Sequence, residues 1–124
     1  MDTKEDFGFK ELIVWQKSVE FAKNVIDKTD NLNTEKKHFK ITEQTEAAAT
    51  SIAANIAEGK GRYSKKEFKQ FLYIARGSLY ETVTFLNILK ELKWIPEEEV
   101  ITLEKESLIL NKMLNALINT LKSY

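Results

Sequence analysis

Seven positions in the middle of the chain, Phe68, Leu72, Ala75, Leu79, Thr82, Leu86 and Leu89, recur at alternating steps of four and three. A strand alternates with a period of two, so this rhythm demands a helix with one buried face. Upstream, Ser64-Lys65-Lys66-Glu67 fits a capping box, and Tyr63 and Phe68 fit a hydrophobic staple. The helix is expected to end near Lys93, about 43 Å from its start at 1.5 Å per residue.

The flanking sequence repeats the pattern. Leu12, Trp15, Val19, Ala22 and Ile26 predict a helix over 11–29, ended by the polar stretch Asp30-Asn31-Leu32-Asn33-Thr34, with Thr34 as the N-cap of the next helix. That second helix reads Ile41, Thr45, Ala48, Ile52, Asn55 and Gly59 on one stripe with Ile56 beside it, and Gly59 and Gly61 serve as its stop signals. Its alanines, Ala47, Ala48, Ala49, Ala53, Ala54 and Ala57, permit close helix approach and mark it as the central helix. Trp94-Ile95-Pro96 closes the third helix, and Pro96 with Glu97, Glu98 and Glu99 suits the first turn of a fourth. Val100, Leu103, Ser107, Leu110, Leu114, Leu117 and Leu121 form the fourth stripe. Four helices joined by short turns predict an all-α, antiparallel up-down-up-down four-helix bundle: one domain over 1–124, with a flexible start at 1–8.

The third helix carries more apolar surface than one seam requires. Phe71, Ile74, Ser78, Phe85, Ile88 and Leu92 make a second stripe offset by about 60° from the first. A broad internal core and a subunit interface both account for it. Phe71, Ile74, Phe85, Ile88 and Leu92 are accordingly the candidate oligomer contacts.

Several chemistries are disfavoured by what the chain lacks. Without Cys there is no disulfide, thiolate metal site or thiol nucleophile, which suits a reducing compartment. The charged N-terminus has no apolar signal stretch, and no window approaches the roughly 20 apolar residues of a membrane span, so a cytoplasmic location with no membrane partner is expected. His38 is the only histidine, leaving no Glu-x-x-His pairs for a di-iron site; no Gly-x-Ser-x-Gly elbow appears, and Gly59-Lys60-Gly61 lacks P-loop spacing. The expectation is a non-enzymatic protein with no cofactor and no metal.

Two polar constellations stand out. Ser51, Asn55 and Glu58 share a face of the second helix, and Ser78 and Glu81 share a face of the third. They read as an interhelical hydrogen-bond network that sets register, or as a carboxylate pair for acid–base or metal chemistry. Lys60, Arg62, Lys65, Lys66 and Lys69 gather around Tyr63 at the turn between those helices, beside the positive end of a helix dipole. This is a solvated turn or a candidate RNA- or DNA-binding site, and the chain's formal net charge of zero supplies no general basic field to support it.

Leu12-Ile13-Val14-Trp15-Gln16, the stretch from Ser51 to Gly59 and the stretch from Ile74 to Glu81 together resemble the bacterial four-helix bundle family encoded within intervening sequences of large-subunit ribosomal RNA genes. Accessory variability proteins of diversity-generating retroelements look similar as well. The resemblance runs from Phe9 to about Leu121. It implies a ring-shaped homopentamer without enzymatic activity and, in the retroelement branch, a basic surface contacting nucleic acid and a reverse transcriptase. Relatives tend to be basic just before the Ser-Ile stretch, where this chain has Thr45-Glu46-Ala47-Ala48-Ala49, which weakens any transfer of nucleic-acid binding.

These features leave two functions from different classes: a homo-oligomeric assembly or scaffold protein, and an RNA- or DNA-binding accessory factor.

Overall fold

A computed structural model describes residues 7–32 and 39–121. A short 3₁₀ turn, Phe9–Glu11, leads into α1 (Ile13–Thr29), followed by α2 (Phe39–Lys60), α3 (Lys65–Glu91) and α4 (Glu97–Thr120). Each helix packs against its two neighbours in the order α1, α2, α3, α4 and back to α1, and the backbones of the diagonal pairs do not approach closely. This is the expected four-helix bundle. The expected Thr34 cap and His38 lie outside the described residues, as do positions 1–6.

One continuous core fills the centre, contributed by all four helices. In α3 it takes Leu72, Ala75, Leu79, Thr82, Leu86 and Leu89, as the four-three rhythm requires, with Phe68 partly buried at the edge. In α1 the expected stripe is corrected. The buried residues are Val14, Ser18, Phe21, Ala22, Val25 and Thr29, while Val19 is exposed and Trp15 lies at the margin. Ser18 disguises this face in the sequence. Its hydroxyl donates to the Val14 carbonyl at 2.7 Å, which satisfies the polar atom and lets a small side chain sit in the core. The fourth stripe drifts at its end, where Ile118 is buried and Leu117 and Leu121 pack partly against the core.

The helix ends depart from expectation in three places. Gly59 stops nothing, because it lies inside α2 and serves close approach to α3: a Cβ there would meet Phe71 Cβ at 2.6 Å and Phe68 Cδ1 at 3.0 Å. Nor does Gly61 adopt the left-handed conformation; its N–H bonds the carbonyls of Ala57 and Glu58 as the helix tapers. Among described non-glycine residues the left-handed position is held by Lys93 alone, at φ 64°. There the Trp94 N–H bonds the Leu89 carbonyl at 3.0 Å and the Lys93 N–H bonds the Lys90 carbonyl at 2.8 Å, the two bonds of a Schellman motif.

At the start of α3, the Ser64 hydroxyl accepts the Glu67 N–H at 3.1 Å, so the cap forms as read. The staple does not. Tyr63 is fully exposed, at 102%, and Phe68 turns to the Gly59 notch instead. Pro96 occupies the N-cap of α4, one position before the first turn, with Glu97, Glu98 and Glu99 following at the positive dipole end.

Candidate functional site

The expected polar network divides. Ser51 and Ser78 join α2 to α3 through hydroxyls 2.9 Å apart, and the Asn55 amide donates to the Ser51 hydroxyl at 2.9 Å and to the Ser51 carbonyl at 2.8 Å. Glu58 takes no part. It faces outward and accepts from Arg62 at 2.8 Å, while Glu81 is exposed. The two carboxylates thus form no pair: Glu58 is taken up by Arg62, and Glu81 stands in solvent.

Register is shared by ties that the sequence did not advertise. Asn87 donates to Glu104 at 2.8 Å and, eleven residues along each helix, Arg76 donates to Asn115 at 2.7 Å, which fixes α3 antiparallel to α4. Thr29 donates to Glu46 at 2.6 Å across α1 and α2, and Asn24 donates to Glu106 at 3.1 Å across α1 and α4. Every adjacent helix pair therefore carries at least one polar tie. Asn and Glu at these positions look like ordinary surface residues until the helices are placed side by side. Among the described residues no group of three or more His, Cys, Asp or Glu side chains is arranged to hold a metal ion.

At the basic turn, Lys60, Arg62, Tyr63, Lys65 and Lys66 are exposed and Lys69 is half-buried. Arg62 is committed within the monomer, paired to Glu58 and lying 4.7 Å over the Phe71 ring. That removes one cation from the cluster.

The second stripe of α3 splits along its length. Phe71 is half-buried near Gly59 and Ser78 is buried against Ser51, so this edge faces α2; Phe85 is half-buried. Ile74, Ile88 and Leu92 remain 51%, 41% and 46% exposed. Joining them on the outer surface are Tyr73 and Tyr80, with Gly77 and Thr84 between. Sequence reasoning missed the two tyrosines because they follow neither the buried stripe nor its 60° neighbour. Beside this face, a groove of about 290 Å³ between α3 and α4 is lined by Leu79, Tyr80, Val83, Glu104 and Leu108, and by Asn111, whose buried Oδ1 has no hydrogen-bond partner. Exposed Leu108 and Ile101 continue the apolar surface onto α4.

The family model described as 23S rRNA-intervening sequence protein matches residues 10–116. Among solved structures, the chain is similar to a protein of unknown function from the S23 ribosomal protein family of Bacteroides thetaiotaomicron. The two share 32% sequence identity with a TM-score of 0.80, over 86% of this chain and 96% of that one. No curated protein matches the chain.

Proposed function

The chain belongs to the 23S rRNA-intervening sequence protein family, and from that premise we propose that it is a non-enzymatic assembly or scaffold protein that works as a homo-oligomer. The observation that carries this reading is the outer face of α3, where Tyr73, Ile74, Tyr80, Ile88 and Leu92 stand between 39% and 59% exposed. A surface helix of a monomer turns charged residues outward, whereas this helix is apolar on both its inner and outer faces. Covering such side chains gains on the order of 1.5–3 kcal/mol for each one fully buried. The resemblance described above sets the expected number of subunits at five. The test is sedimentation velocity on the wild type and on Ile88→Glu combined with Leu92→Glu. The double variant should lose assembly and keep its helical signal, since neither side chain belongs to the buried core; an unchanged sedimentation coefficient would count against the reading.

A second reading, an RNA- or DNA-binding factor, draws on Tyr63, which projects fully exposed beside Lys60, Lys65 and Lys66 as an aromatic available for base stacking. The engagement of Arg62 with Glu58 and Phe71 and the zero net charge weigh against it. Any such binding should be weak and steeply salt-dependent.

A further inference from the structure

Asn111 on α4 holds a buried polar atom that the bundle leaves unserved: its side-chain oxygen, Oδ1, has no hydrogen-bond partner. An unpaired buried acceptor is destabilising, and folded proteins rarely keep one. One turn further along α4 the same kind of side chain is paired, since Asn115 accepts from Arg76 at 2.7 Å. What distinguishes Asn111 is its place, in the wall of the groove of about 290 Å³ between α3 and α4.

The rest of the groove defines what would serve that oxygen. Leu79, Val83 and Leu108 supply apolar walls, and the exposed Tyr80 adds an aromatic ring. The hydroxyls of Ser107 and Thr84 give their protons to the carbonyls of Glu104 and Tyr80, at 2.7 and 2.9 Å, so neither donates into the groove. Glu104 is half-buried and accepts from the Asn87 amide at 2.8 Å, yet no Lys or Arg among the described residues lies within ion-pair distance of its carboxylate. The groove thus carries two unmet demands of different kinds. Glu104 lacks a cation, whereas Asn111 lacks a neutral donor, because Arg76 on the adjacent Asn115 already brings positive charge to that end. Seven positions along α4 separate the two residues, about 10 Å at 1.5 Å per residue.

We propose that this groove binds a small arylalkylamine, with its ammonium beside Glu104, its ring against Leu79, Val83 and Leu108, and a ring hydroxyl or N–H donating to Asn111 Oδ1. Charge complementarity selects the cationic end, since an anion placed there would face Glu104 with no compensating donor. Three apolar side chains and an open tyrosine ring suit a flat apolar body between the polar ends. A ring carrying a short alkyl arm fills the span once a hydrogen bond is added at either end. All of these groups belong to one chain, so the inference does not rest on the assembly reading.

The test titrates tyramine into the full chain and follows calorimetric heat and backbone amide NMR shifts. Tyramine should saturate with a Kd of about 1 mM or tighter and move the amides of 79–84 and 104–111. Phenethylamine, which lacks the hydroxyl, should bind roughly three- to tenfold more weakly. The compound 3-(4-hydroxyphenyl)propionate, which exchanges the ammonium for a carboxylate, should lose at least about tenfold. Glu104→Gln keeps an acceptor for Asn87 and should weaken tyramine by a similar factor. Asn111→Leu should bring tyramine down to the phenethylamine level while leaving phenethylamine unchanged. Far-UV circular dichroism checks that both variants fold, and the three wild-type titrations decide the question by themselves if either does not. The proposal is overturned by the absence of a saturable shift, by shifts centred away from the groove, or by equal binding of all three compounds.

Discussion

Single residues in this bundle are explained by what lies within a few ångströms of them, and two of them give sharp expectations. A methyl group on Gly59 would be forced to 2.6 Å from Phe71 Cβ, so Gly59→Ala should push α2 and α3 apart and cost on the order of 1–3 kcal/mol in a urea unfolding curve. A gain in stability would mean that the seam can open freely. Lys93 has the opposite character. It holds a left-handed conformation at φ 64° that costs a residue with a Cβ about 1 kcal/mol, so Lys93→Gly should raise stability by roughly that amount. An unchanged or lowered midpoint would show that the lysine side chain contributes something the turn geometry does not reveal. Neither expectation was legible in the sequence. Gly59 reads there as a helix stop because glycine near a helix end usually is one, and Lys93 carries no sign that it occupies the position glycine normally takes.

At the level of elements, legibility followed how fully the buried stripe was made of large apolar side chains. The core of α3 could be read residue by residue, since Leu72, Leu79, Leu86 and Leu89 leave no alternative face. The face of α1 was misplaced by a small rotation because Ser18 and Thr29 sit in its buried stripe while Val19 lies outside it. The polar ties between helices were legible only for Ser51, Asn55 and Ser78; the partnership of Asn87 with Glu104 depends on an antiparallel register that no local pattern encodes. The turn between α2 and α3 is where the sequence implies it, but its Tyr63 stands exposed where the sequence implies a staple with Phe68. If this turn meets nucleic acid at all, Lys65→Glu combined with Lys66→Glu should abolish retention on structured RNA at low salt, and the wild type should release as salt rises through about 0.2 M. Retention that ignores both salt and the substitutions would place the contact elsewhere.

For the whole molecule, the fold and the family agree, and the outer face of α3 is what the fold leaves unaccounted for. A bundle of this size has enough internal surface to bury the second stripe by turning α3 toward both neighbours, and Phe71, Ser78 and Phe85 are indeed drawn inward in this way. Ile74, Ile88 and Leu92, joined by Tyr73 and Tyr80, are not. Assembly is the account given for them. Light scattering coupled to gel filtration at low micromolar concentration tests it most directly: the account predicts a single species at a multiple of the 14.4 kDa chain mass, expected to be five, and a species at the mass of one chain would contradict it.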